Sequence, residues 1–197
     1  MCPAPNDPSS GRKPDRRVER TKRALFEALV ELMIEKGYDA ISVADVADRA
    51  NVGRSTFYAH YADKEDLLQE SLRGLRHHLT TAAPARLKPD GPVHPALAFS
   101  LPMLLHVQEV RELFCALAGK QQGAPVQTQL HVMLADLVRE TLEAEGVATA
   151  QRSALMAEAI VGAFLSLAIW WMNGNEQLSA EDVDRAFLAL FTPGLSG

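Results

Sequence analysis

Apolar residues recur every three or four positions along most of the 197-residue chain, the spacing that predicts amphipathic helices. The pattern predicts a first helix over residues 17–36 and a connecting helix over 63–82 that begins at an Asp63 cap. After a proline-rich boundary at 84–95, it predicts helices over 96–117, 126–145, 149–172 and 179–191. No segment has the two-residue period of a strand, so we expect an all-α fold of about nine helices.

Proline and glycine mark the ends of these helices. Gly37, Gly146 and Gly174 follow the last apolar position of three helices, as expected for residues just past a helix C-terminus. Pro102 predicts either a kink within the segment 96–117 or a late start at Leu101. The pair Pro193 and Gly194 predicts that the last helix stops near residue 191.

Two short helices joined by a tight turn are predicted between residues 42 and 61. Ser42 is an N-cap with Asp45 in the first turn, and Asn-Val-Gly at 51–53 can form the turn. Phe57 and Tyr61 lie four residues apart and face inward. The other side of this helix carries polar groups suited to base edges and phosphates: Arg54, Ser55, Thr56, Tyr58 and His60. Any helical hairpin needs caps and a turn, but the polar set and the basic residues before it favour DNA binding.

Residues 17–67 resemble the N-terminal DNA-binding domain of the TetR family of transcriptional regulators. The resemblance rests on the first helix followed by Gly37 and Tyr38, the Ser42 helix start, the recognition unit at 52–61 and the helix start at 63–67. Gly53 stands where the family most often has Ser, a stronger N-cap. The resemblance implies that Lys64 meets a phosphate. The full set of implied DNA contacts is Arg17, Arg54, Ser55, Thr56, Tyr58, His60 and Lys64.

The charge distribution agrees with a DNA-binding N-terminal region despite a net charge of −5. Residues 1–25 carry seven basic and three acidic side chains, whereas residues from 84 onward carry seven and twelve. Phosphate binding depends on local charge, so a distant acidic region is compatible with it. We expect residues 1–15 to be a disordered basic arm, although a solvated tail has the same composition. The remaining divisions are a helix-turn-helix domain at 16–62, a connecting helix at 63–83 and a regulatory and dimerisation domain at 84–197.

The helix at 149–172 mixes small and large apolar residues, which fits either a central core helix or an interface between two copies. The resemblance implies a homodimer formed through helices eight and nine. It also implies a helical cavity for a small, mainly apolar effector, although Met and aromatic residues at helical spacing can equally be ordinary core. The candidate lining residues are Phe99, Met103, Phe114, Met133, Phe164 and Trp170, with Met156 and Trp171 as further candidates.

Other chemistry is not indicated by the sequence. We expect no metal site, no cofactor and no enzymatic activity, because no ligand spacing, phosphate loop or nucleophile motif is present. The longest apolar stretch, 159–172, is shorter than a membrane span, and no apolar leader occurs, so we expect a cytoplasmic protein. The resemblance implies a repressor that binds double-stranded DNA at a palindromic operator and is released by its effector. The alternative is a TetR-like activator controlled by a protein partner.

Overall fold

The computed structural model describes residues 16–85, 87, 93–117, 124–146, 149–174 and 177–195. Within these ranges the helices and 3-10 turns are the regular structure and there is no strand, which confirms the all-α prediction. Nine α-helices occur there: α1 (Arg16–Lys36), α2 (Val43–Arg49), α3 (Arg54–Tyr58), α4 (Lys64–Ala82), α5 (Ser100–Glu109), α6 (Arg111–Leu117), α7 (Ala124–Ala144), α8 (Ala150–Met172) and α9 (Ala180–Leu195). The predicted basic arm, residues 1–15, lies outside the described residues.

The short helix α2 is fixed by the residues at its two ends. Ser42 and Asp45 form a capping box: the Asp45 N–H donates to Ser42 Oγ at 3.2 Å, and the Ser42 N–H donates to Asp45 Oδ2 at 2.7 Å. Asn51 has a φ of 53°, so it supplies the left-handed residue of the turn. Val52 packs in the corner against the core below. A helix of seven residues is too short to form alone, so the caps and this packing hold it.

Helices α1 to α4 enclose one apolar core, which we call the reader core. Its central side chains, including Leu25, Val46 and Phe57, are fully buried. The complete set of buried members is Leu25, Ala28, Leu29, Leu32, Met33, Tyr38, Ile41, Val46, Ala47, Phe57, Tyr61, Leu67 and Leu68. The inward side predicted for Phe57 and Tyr61 is therefore confirmed.

Helices α5 to α9, with the end of α4, enclose a second apolar core, the regulatory core. Three aromatic rings meet near its centre, with the Phe99 and Phe187 centroids 5.0 and 5.3 Å from that of Phe164. All three contacts are edge-on, the geometry that aromatic pairs prefer. A buried polar link joins α5 to α9, where the Ser100 hydroxyl lies within hydrogen-bond distance of Asp184 Oδ1 and of the Leu97 carbonyl and can donate its single proton to either acceptor.

Three helix boundaries either differ from the prediction or decide between its alternatives. Pro102 lies in the first turn of α5, where a missing N–H costs little, so the helix starts late and has no kink. The segment 96–117 is interrupted again at Val110, which separates α5 from α6. The stop predicted near residue 191 is wrong: α9 continues through Pro193 to Leu195, and burial of Leu195 against the regulatory core holds this last turn.

Helix α8 is longer than the apolar stretch considered in the sequence. It spans 23 residues and, among the described helices, is long and apolar enough to cross a membrane by length and composition. The expectation that this region is too short is therefore corrected. Core helices pass the same test, and Ile160, Val161, Phe164, Ala168 and Trp171 of α8 are buried in the regulatory core. The helix also leaves apolar side chains exposed, as described below.

Candidate functional site

Helix α3 has one buried side and one exposed side. Phe57 is fully buried, whereas its neighbour Tyr58 is 60 % exposed and packs edge-on against the Phe57 ring at 5.7 Å. Arg54 and Ser55 are exposed as well, and Thr56 and His60 are half-buried. The structure thus brings five of the predicted DNA-contacting residues together on and just after one short helix, with a guanidinium, hydroxyls and an imidazole at the surface.

The support of this surface is a set of ion pairs between α1 and α2. Arg49 donates to Glu31 Oε2 at 3.0 Å and bonds both carboxylate oxygens of Glu35 at 2.8 and 2.7 Å. Lys36 Nζ lies 3.0 Å from Asp45 Oδ2. The hydrogen bonds from Ser42 and the nearby Lys36 hold the pKa of Asp45 well below its usual range. These pairs are part-exposed, so they orient α2 more than they stabilise the fold.

Lys64 has a structural position that the sequence did not reveal. Its ammonium donates to the backbone carbonyls of Tyr38 at 3.0 Å and Ile41 at 2.9 Å, and Nζ lies 4.5 Å from the centroid of the Tyr38 ring. These bonds use two of its three N–H donors and tie α4 to the segment between α1 and α2. The predicted phosphate contact can therefore use the remaining donor alone. Arg17 is exposed in the first turn of α1.

A cavity of about 800 Å³ lies between the reader core and the regulatory core. Its lining is mainly apolar and comes from α1, α4, α5, α6, α7 and α8. Leu72, Leu113 and Val126 line it and also pack against the reader core, whereas Phe114 and Leu130 line it and pack against the regulatory core. The cavity wall therefore belongs to both halves of the molecule.

The structure places only some of the predicted lining residues on the cavity wall. Met103 and Phe114 line the cavity. Phe99 and Phe164 do not, because they are buried in the aromatic cluster of the regulatory core. Met133 packs partly buried against that core, and Trp170 is 50 % exposed; neither lines the cavity. Of the two further candidates, Met156 packs against the regulatory core and Trp171 is buried in it. Helical spacing identified the apolar faces but could not say which face is filled.

Several lining residues were missed by the sequence analysis. Phe26 and Met33 of α1 belong to the helix-turn-helix region, for which the sequence predicts DNA binding alone. Leu68, Leu72 and Leu75 recur at helical spacing on α4, a signal that could have placed the connecting helix on the cavity wall. His78, His106 and His131 are among the polar lining residues. Within the described ranges, no three His, Cys, Asp or Glu side chains are grouped so that they could hold a metal ion.

Comparison with known proteins shows which family the segment around α3 resembles. Residues 25–71 match the sequence model of the family described as bacterial regulatory proteins, tetR family. The match contains the reader core, the α2–α3 turn and the exposed side of α3. The chain thus contains a DNA-binding segment of the TetR family type at residues 25–71. The predicted resemblance is thereby confirmed, together with the helix-turn-helix assignment.

Individual relatives extend the comparison. A transcriptional repressor named LfrR from Mycolicibacterium smegmatis is 38% identical over 80 residues, which are 40% of this chain and 41% of LfrR. The chain spans between about a fifth and two fifths of the length of the curated relatives matched most strongly.

Solved structures of TetR proteins match almost the whole chain. A putative TetR-family regulator from Syntrophomonas wolfei superposes with a TM-score of 0.68 at 18% identity, covering 91% of this chain and 96% of that one. A TetR regulator from Streptococcus agalactiae superposes with a TM-score of 0.59 at 27% identity, covering 89% and 96%. The fold of the TetR family thus extends through the regulatory core, beyond the segment matched by the family's sequence model.

Proposed function

We propose that this chain is a DNA-binding transcriptional regulator of the TetR family, acting as a homodimeric repressor that a small, mainly apolar effector releases from DNA. The observation that carries the proposal is the two-sided helix α3. Phe57 anchors it in the reader core, while Arg54, Ser55 and Tyr58 are exposed at the surface. An Arg at this position can bond two acceptors of guanine, and hydroxyls can reach bases or phosphates.

Dimerisation through α8 and α9 is supported by their exposed apolar side chains. Leu155 and Trp170 on α8 are 71 % and 50 % exposed, and Leu190 on α9 is 74 % exposed. Between Leu155 and Trp170, the exposed side of α8 carries Ala159, Ala163 and Ser166, whose small side chains permit close helix contact. An apolar surface of this kind on a small protein typically meets a partner. A second copy is the partner proposed here.

A two-fold dimer would present two copies of α3 to DNA. One recognition helix contacts too few base pairs for useful specificity, so helix-turn-helix proteins pair two half-sites about one helical turn apart. A two-fold axis in the protein requires a matching symmetry in the DNA. The operator proposed for this chain is therefore roughly palindromic.

The position of the cavity supports control by an effector. A molecule in the cavity would touch Phe26 and Met33 on α1 as well as Leu72 on α4, so it would contact the DNA-binding half directly. It would also touch Leu113 of α6 and Val126 of α7, which pack against the reader core. A ligand shifts an equilibrium by its difference in affinity for the two states. An effector that prefers a displaced α1 and α4 would therefore weaken DNA binding, as a repressor requires.

The test is selection from a pool of random DNA duplexes, followed by light scattering of the protein with and without the selected duplex. The proposal predicts enrichment of one two-fold symmetric sequence, bound by a dimer. Enrichment of no sequence, or a monomer under both conditions at micromolar concentration, would contradict it. Reporter expression from the selected sequence then separates the repressor from the alternative activator: the repressor lowers expression and the activator raises it.

A further inference from the structure

We propose that the cavity between the two cores selects lipophilic molecules with a positively charged head group, bound at Glu109, and rejects lipophilic anions. The inference rests on the proposed function only in taking the cavity to be the effector site. It goes further because it states the charge of the ligand, which follows from the side chains around the cavity mouth.

The first observation is the charge of the lining. Along the described part of the chain, the lining residues include one carboxylate, Glu109, and no lysine or arginine. Apart from three histidines and the uncharged polar residues Ser71, Gln127 and Thr128, the walls are apolar, with residues such as Leu72, Val107 and Ile169. An anion transferred into such surroundings loses its hydration and gains no cationic partner, which is strongly unfavourable.

The second observation is the state of the polar end of the cavity. His106 Nδ1 lies 4.0 Å from Glu109 Oε2. Burial lowers the pKa of His106 despite the opposing effect of Glu109, and the neighbouring His78 lowers it further. The His106 imidazole is therefore neutral near pH 7 and does not neutralise Glu109.

A second carboxylate lies near the same lining. His131 Nε2 is 2.7 Å from Glu158 Oε2, so any positive charge on His131 is balanced by that partner. The pairing with Glu158 means that His131 does not provide an unbalanced cation to an incoming anion. The arrangement attracts a positive head group and offers a neutral imidazole as a hydrogen-bond partner.

The exposure of Glu109 determines how strong the preference is. Its side chain is 80 % exposed, so a head group paired with it stays partly hydrated and the attraction is modest. The penalty on an anion is larger, because an alkyl chain held in the cavity draws its head group against uncharged walls and a carboxylate. We therefore expect weak discrimination between cationic and neutral ligands, and strong discrimination against anionic ones.

The experiment uses the full chain and the neutral dye Nile red as the cavity probe. Decyltrimethylammonium, decanol and decyl sulfate share one alkyl chain and differ in head-group charge, so each is titrated below its micelle concentration to displace the dye. The cation should displace it at about two- to fivefold lower concentration than decanol, the size of an exposed charge pair. Decyl sulfate should need about tenfold more than decanol, or more.

Two variants locate the effect. Glu109→Gln should remove the advantage of the cation over decanol, whereas Glu112→Gln should preserve it, because Glu112 is exposed on the next helix and does not line the cavity. Three results would overturn the inference. Decyl sulfate displaces the dye at the same concentration as decyltrimethylammonium, neither of these two compounds displaces it, or the Glu109→Gln variant keeps the same order of the three compounds.

Duplex binding of the same samples separates this inference from the proposed function. If the three compounds displace the dye in the expected order but the protein binds no duplex, the regulator proposal alone is overturned. Selective duplex binding with a preference for decyl sulfate would overturn the charge inference alone.

Discussion

The reader core and the regulatory core solve different packing problems. The reader core is filled: Phe57 is completely buried beneath α3, and the short helix α2 is held by the capping box of Ser42 and Asp45. The regulatory core has a centre of closely packed aromatic rings, yet a cavity of about 800 Å³ lies where it meets the reader core. Empty apolar space costs stability, because its lining loses contacts.

This difference shows where the molecule can change. A surface that reads DNA must hold its side chains in fixed geometry. The ion pairs that Arg49 forms with α1, together with the capping box of Ser42, provide this support. An effector site needs space that a ligand can fill and walls that can move. The contrast predicts that equivalent substitutions have unequal effects in the two regions.

The largest expected difference is between two phenylalanines. Phe57→Ala removes a fully buried ring from the reader core and should lower the free energy of unfolding by about 3–5 kcal/mol. Phe114→Ala removes a half-buried ring that borders the cavity, so it should cost about 1 kcal/mol. Thermal and denaturant unfolding of both variants measure this. Equal losses would show that the cavity is filled in solution.

A second pair of substitutions enlarges a side chain in each environment. Phe164→Trp should overpack the aromatic cluster with Phe99 and Phe187 and destabilise the fold by about 1–3 kcal/mol. Leu165→Phe, one residue later, should be tolerated because that side chain borders the cavity. It should instead weaken Nile red binding. A stable Phe164→Trp variant with weakened dye binding would place Phe164 on the cavity wall and contradict the packing described above.

The reader surface gives the third comparison. Arg54→Ala should weaken binding to the selected duplex by about 1–3 kcal/mol, with less effect on random duplexes. Lys64→Ala should weaken binding to all duplexes alike. It should also lower the free energy of unfolding by about 1–3 kcal/mol, because its charged hydrogen bonds to the Tyr38 and Ile41 carbonyls are lost. A fully stable Lys64→Ala variant would show that these bonds contribute little.

The smallest expected effect concerns the stability of the fold at acidic pH. The folded state lowers the pKa of Asp45, so its carboxylate stabilises α2 above the unfolded pKa of about 3.9. That contribution is lost as the pH falls toward the folded value. Melting temperature measured from neutral to acidic pH should therefore decline less steeply in Asp45→Asn and in Ser42→Ala than in the parent chain. Parallel declines in all three proteins would assign the acid sensitivity to other carboxylates.

How much the sequence could predict differs between the same two regions. The reader was predicted in detail because its features are local: Ser42 caps α2, Asn51 forms the turn, and Phe57 and Tyr61 share one buried side. The cavity was predicted poorly because it depends on how distant helices meet. Phe164 and Met103 follow the same helical spacing, yet one fills the core and the other borders the empty space.

The structural role of Lys64 escaped the sequence for a related reason. Its place at a helix start suggested a phosphate contact, but its bonds reach carbonyls 23 and 26 residues away. The end of α9 shows the same limit, since burial of Leu195 carries the helix past a proline. In each case a tertiary contact outweighs a local preference.

The central claim is that the cavity and the DNA-binding surface are coupled through their shared wall. It is tested most directly by measuring Nile red affinity with and without the selected duplex, and duplex affinity with and without saturating Nile red. Both affinities should fall, because each ligand opposes the state that the other prefers. Linkage requires that they change by the same factor. The account predicts equal weakening in both directions. Affinities for dye and duplex that are each unchanged by the other ligand would contradict it.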